Sequence, residues 1–82
     1  MNKDNTTMFR LPVDKEDEIR DALSLVCDAL REKGYNPIGQ IVGYIMSGDP
    51  SFITSHKDAR KLMTKFDRDV ILEVVFEDYL GK

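Results

Sequence analysis

The stretch Lys33-Gly34-Tyr35-Asn36-Pro37-Ile38-Gly39-Gln40-Ile41-Val42-Gly43-Tyr44-Ile45-Met46-Ser47-Gly48-Asp49-Pro50 decides the fold, because it holds the end of one helix and the whole of the next. Gly34 can take the left-handed conformation that closes a preceding helix. Asn36 and Pro37 form an N-cap and first-turn pair: the Asn side chain accepts from a free amide, and Pro lacks the donor that would go unsatisfied there. Ile38, Ile41, Val42 and Ile45 recur at helical spacing and are expected to form a buried stripe. Ser47-Gly48-Asp49-Pro50 stops the helix, with Gly as a cap and Pro forbidding continuation. Gly39 and Gly43 each cost about 1 kcal/mol in helix propensity relative to Ala. Four residues apart, they share a face, which points to close approach by another backbone.

Working toward the N-terminus, Ile19, Leu23, Val26, Cys27 and Leu30 recur at spacings of three and four. Glu16, Asp17 and Glu18 suit the positive end of a helix beginning at Asp14, and Lys33 its negative end. Residues 1–13 are rich in Asn, Thr and Asp and show no sustained period, so they read as a flexible arm ahead of a helical domain over 14–82. Toward the C-terminus, Phe52 and Ile53 suggest an anchoring turn. Ser55 with Asp58 resembles a capping box opening a third helix whose stripe is Ala59, Leu62, Met63 and Phe66. Asp67 or Asp69 can cap a fourth, with Val70, Ile71, Val74, Val75 and Tyr79 facing inward. That run is β-branched, but Glu73, Glu77 and Asp78 repeat at helical rather than alternating spacing. The expectation is an all-α fold, a compact four-helix domain.

With 82 residues there is room for one domain with a modest core, which dimerisation would enlarge. A hydrophobic fraction of 41% and a charged fraction of 33% suit a folding chain. Cys27 is the only cysteine, so no intramolecular disulfide can form, and its apolar neighbours suggest a small core residue in a reduced, cytoplasmic setting. Neither a signal peptide nor a membrane-spanning run is legible, so membrane insertion is not expected. The net charge of −3 argues against a general nucleic-acid binder. The charge is uneven: residues 55–66 carry a net +3 before His56 is counted, and 67–82 carry −3.

No catalytic or metal pattern emerges. His56 has no second His or Cys at ligand spacing, and Cys27 has no base near it in sequence, so neither enzymatic activity, a metal nor a cofactor is expected. Gly39 and Gly43 lack the Lys and Ser/Thr of a phosphate-binding loop. The third helix, with Lys57, Arg60, Lys61 and Lys65, could serve as the reading helix of a helix-turn-helix binder, which the overall charge opposes. The cluster His56, Lys57, Arg60 and Lys61 also suits an anionic partner surface or a phosphorylated segment, although a merely solvated face is the commonest fate of such runs. Thr6 and Thr7 sit in the arm, where a kinase could reach them and a phosphate would add about −1.5 to −2 charges.

The string from Lys33 to Pro50, continued through His56-Lys57-Asp58-Ala59-Arg60 and Arg68-Asp69, closely resembles the core signature of the IreB/ReoM family of small bacterial regulatory phosphoproteins. The resemblance covers nearly the whole chain from about Thr7. It implies an all-helical cytosolic homodimer, phosphorylated on an N-terminal threonine by a membrane-anchored PASTA-domain Ser/Thr kinase and dephosphorylated by a cognate phosphatase. Thr7 matches the family's phosphothreonine, with Thr6 a weaker competitor. The family controls cell-wall synthesis and resistance to wall-active antibiotics. In characterised members the unmodified form promotes ClpCP degradation of the enolpyruvyl transferase that begins peptidoglycan precursor synthesis. Thr54-Ser55 departs from the family's usual Pro-Arg and weakens the basic cluster.

Overall fold

A computed structural model describes residues 13–81, with side chains from residue 15. It contains α1 (Val13–Glu32), α2 (Pro37–Ser47), α3 (Ala59–Met63) and α4 (Arg68–Leu80), with 3-10 turns at Pro50–Phe52 and His56–Asp58. No strand occurs among the described residues, which are all-α, with four helices. The first helix begins at Val13, one residue inside the segment read as an arm; the remainder of that segment lies outside the described residues. α1 packs against each of the other three helices, and α2 also meets α4.

The buried line of α1 is Ile19, Ala22, Val26, Ala29 and Leu30, while Leu23 and Cys27 stand half-buried at its margin. The stripe is rotated from the one expected, because the alanines give the inner line the small side chains that close helix packing needs. Cys27 is therefore a margin residue, beside Leu23, Ser24, Asp28 and Arg31 in a shallow groove. On the α4 side, Arg20 reaches Asp78 at 2.8 Å and Asp17 at 2.9 Å. The hydrogen bonds to Asp78 are the main reason its pKa is raised.

α2 starts and stops as its sequence dictates. Asn36 Oδ1 accepts from the Gly39 amide at 3.3 Å, with Pro37 in the first turn. Gly48 adopts φ +75° and its amide donates to the Tyr44 carbonyl at 2.7 Å. Arg68 Nη1 donates to the Ile45 carbonyl at 2.9 Å across this glycine, so α4 helps to close the end of α2. The buried face differs from the expected stripe: Tyr44 is buried, Ile41 and Ile45 are half-buried, and Ile38 and Val42 are exposed. Inward contact falls on the Gln40–Tyr44 side because the 50–53 turn docks there, Gln40 Nε2 donating to the Phe52 carbonyl at 3.0 Å.

The glycine pair also acts differently from expectation. Gly43 lies against the Phe52 ring, where a Cβ would stand 2.6 Å from Cδ1, and Gly39 faces only its own cap residue Asn36. An aromatic edge, not another backbone, occupies the space. Gly43→Ala is accordingly expected to destabilise the protein by about 1 kcal/mol despite its helix-propensity gain, because overpacking costs about 1–3 kcal/mol and the gain recovers only about 1. Adding Phe52→Leu should reverse the sign in chemical denaturation; a midpoint raised in Gly43→Ala alone would show that the ring yields freely.

Ile53 is fully buried between the two 3-10 turns and joins Ile19, Val26, Leu30, Met63 and Ile71 in the core. The capping box expected at Ser55 does not form: Ser55 makes no side-chain cap, and Thr54 Oγ1 accepts from the His56 amide instead. Asp58 is in the left-handed region, so it cannot reciprocate as an early helical residue. Asp67 occupies the cap position of α4 without a side-chain bond, while Asp69 Oδ1 accepts from the Val70 amide at 2.9 Å. α4 buries Ile71 and Val74, but Val75 and Tyr79, expected inside, are exposed.

Candidate functional site

Of the basic residues singled out from sequence, His56 and Lys57 fall on a tight corner between Ile53 and α3, and Arg60 and Lys61 follow in α3 itself. Lys57 has φ +55° and Asp58 φ +59°, two successive non-glycine residues in a conformation that costs roughly 1–2 kcal/mol each. Local bonds shape the corner: the Asp58 amide donates to the Ser55 carbonyl at 3.0 Å and the Arg60 amide to the Thr54 carbonyl at 3.0 Å. From the last turn of α1, Glu32 grips it with both oxygens. Oε1 lies 2.7 Å from His56 Nε2 and Oε2 lies 3.1 Å from Lys57 Nζ. A carboxylate can only accept, so Nε2 carries the proton.

The hydrogen bond from His56, and then that from Lys57, holds the Glu32 carboxyl below its ordinary value of 4.5. A carboxyl held low in the folded state contributes stability above its ordinary pKa and loses it as pH falls through the lowered one. The corner's amides are therefore expected to lose hydrogen-exchange protection only as pH falls below the ordinary carboxylate pKa, ahead of the core amides. A carbon-detected titration of the Glu32 side chain checks the sign; a midpoint at or above the ordinary carboxylate value would contradict the grip.

The four predicted residues thus divide into two pairs. His56 and Lys57 are engaged by Glu32. Arg60 Nε donates to the buried Ile53 residue's carbonyl at 2.8 Å, and Arg60 and Lys61 line an open groove of about 490 Å³ with Pro50, Ser55, Asp58 and Thr64. Among the described residues neither Arg60 nor Lys61 lies within 4.0 Å of a carboxylate oxygen, although the charge of Arg60 contributes to holding Asp49 low. Across the groove's Pro50 side, Asp49 is held low mainly by the Ser51 amide, whose bond to Oδ1 is 2.9 Å. α3 spans five residues, about 7.5 Å, too short to lie across a DNA groove as a reading helix.

A second feature was hidden in the sequence by its regular periodicity. Large apolar side chains stand exposed along α2 at Ile38, Val42 and Met46, and along α4 at Leu72, Val75, Phe76, Tyr79 and Leu80. Between α2 and α4, Ile45 and Leu72 line a groove of about 580 Å³ with Asp67, Arg68 and Asp69. Monomeric proteins rarely leave large contiguous apolar patches in water, and eight large apolar side chains on two helices are more than one buried stripe per helix accounts for. The available signal was an excess of apolar positions over what one buried stripe per helix needs.

Thr6 and Thr7 lie outside the described residues. Among the described residues no group of three or more His, Cys, Asp or Glu could hold a metal, and no helix is long and apolar enough to cross a membrane. Comparison with known proteins now decides the lineage. A family described as the IreB regulatory phosphoprotein matches residues 4–81, which include Thr6, Thr7, the corner and all four helices. The chain belongs to the IreB family. Curated relatives of this IreB-family chain carry the name UPF0297 protein. One from Acetivibrio thermocellus is 51% identical over 80 residues, covering 98% of this chain and 89% of the relative. Another from Ruminiclostridium cellulolyticum is 49% identical over 80 residues, with 98% and 91% covered. A third from Lachnoclostridium phytofermentans is 51% identical over 76 residues, with 93% and 86% covered. As an IreB-family member, the chain is a regulatory protein in which the grooves and faces above are candidate contact surfaces.

Proposed function

We propose that this chain is a non-enzymatic cytoplasmic switch: a homodimer phosphorylated on Thr7 by a PASTA-domain Ser/Thr kinase and reset by the cognate phosphatase. Its output is control of peptidoglycan precursor synthesis and wall-antibiotic resistance, through regulated ClpCP proteolysis of the enolpyruvyl transferase. The observation that carries the reading is the match to the IreB regulatory phosphoprotein family from residue 4, a span that includes the arm's threonines as well as the helical domain. The apolar face of α2 and α4 suits a second copy of the chain, since a small domain gains core by pairing and a self-complementary face closes into a dimer. The groove at Arg60 and Lys61, beside His56 and Lys57, suits an anionic partner from the proteolytic machinery or its adaptor. A phosphate on the arm would alter that surface either by docking on the basic face or by repelling an acidic partner.

Intact-mass and fragment mass spectrometry after incubation with the purified kinase catalytic domain and ATP tests the input. Wild type should gain one phosphate, Thr6→Ala should still gain it, and Thr7→Ala should lose it. A wild type that takes no phosphate would sink the switch while leaving family membership standing. A helix-turn-helix reading has no support from the five-residue α3.

A further inference from the structure

We propose that Glu32 is the positioning residue of the basic groove: its carboxylate holds the left-handed corner at Lys57 and Asp58, and through that corner sets where Arg60 and Lys61 stand. The inference rests on the reading of this groove as a partner contact and adds the device that shapes it. Three observations carry it. Neither corner residue is a glycine, and Asp58 makes no side-chain cap, so beyond its local backbone bonds the corner has no side-chain contact of its own to offset its left-handed backbone. Such backbone persists only where its surroundings over-determine it. Among the described residues, the polar side-chain contacts that reach residues 55–58 from another helix both come from Glu32, one on each carboxylate oxygen. Finally, Ser55 and Asp58 of the corner line the same groove as Arg60 and Lys61, and the chain passes from the corner directly into buried Ala59. A change in the corner therefore moves that lining and the first turn of α3 together.

Glu32 lies on the exposed surface of α1, where ion pairs contribute little to global stability. Its removal should release the corner without unfolding the domain. In the full-length, isotope-labelled protein, Glu32→Ala is expected to speed amide exchange at Asp58 and Arg60 severalfold. Backbone order at 55–58 should fall from about 0.85 toward 0.6, with Met63 unchanged. Adding Asp58→Gly should restore protection of the Arg60 amide, because glycine enters the left-handed region without steric cost. A surface residue with no hold on the corner would not be rescued in this way. Unchanged exchange in Glu32→Ala overturns the proposal, as does a glycine that fails to restore it. Titration with a polyglutamate peptide, read at the Lys61 amide and the Arg60 Nε–H, judges the groove separately. If wild type shows no shift there, the partner contact fails, while the exchange data still decide the role of Glu32.

Discussion

If the chain pairs through α2 and α4 as proposed, Phe76→Glu is expected to turn that dimer into a monomer, raising the dissociation constant by about a thousandfold. Phe76 is 54% exposed in the single chain and sits among Leu72, Val75 and Leu80 on the outward side of α4. Truncating a central aromatic anchor at an interface costs about 2 kcal/mol, and a carboxylate in its place adds a desolvation penalty. In a two-fold interface each change enters twice, so about 4 kcal/mol, or three decades in affinity, follows from the anchor alone. Sedimentation equilibrium over a range of concentrations measures it. Leu25→Glu is the matched control, because Leu25 is also exposed but lies on α1 away from this face, and it should leave association unaltered. A wild type that stays monomeric at about 100 μM, or a Phe76→Glu variant that stays dimeric, would remove the α2–α4 face as the pairing surface.

That face explains where sequence reasoning met its limit. Helix ends were legible because their chemistry is local: Asn36-Pro37 starts α2 and Gly48 stops it with the bonds their side chains and backbone allow. The direction in which a stripe points is not local. Ile38 and Val42 have the spacing of core residues, and Val75 and Tyr79 continue the period of Ile71, yet all four face out. Periodicity records that a face is apolar, not whether the same chain or another covers it.

The candidate site was half legible for a similar reason. Lys57, Arg60 and Lys61 were visible as a charge cluster, but Glu32, 25 residues before Lys57, reads in sequence only as part of the solvated end of α1. A pair formed across elements leaves no spacing to detect. The left-handed corner was equally silent, since Lys57-Asp58 contains none of the glycines that usually announce such backbone.

Ile53→Ala carries the largest expected loss of stability, about 2–5 kcal/mol, because the side chain has 0% exposure and would leave a cavity in the centre of the core. In a domain of this size each kcal/mol moves the melting temperature by about 4–8 °C, so a fall of about 10 °C or more is expected. The backbone carbonyl that accepts from Arg60 Nε survives the substitution, so the loss reads packing rather than that hydrogen bond. Ile53→Val should cost only about 0.5–1.5 kcal/mol, the mark of a close-packed site. Ile38→Ala supplies the contrast: at 73% exposure it removes a similar volume from the outer face of α2. Its effect should appear chiefly as a weaker concentration dependence of melting, since the proposed pairing would stabilise only the associated folded state. Thermal unfolding at low and high protein concentration separates the two terms. Equal losses for Ile38→Ala and Ile53→Ala at the low concentration would mean that the 50–53 turn does not seal the core.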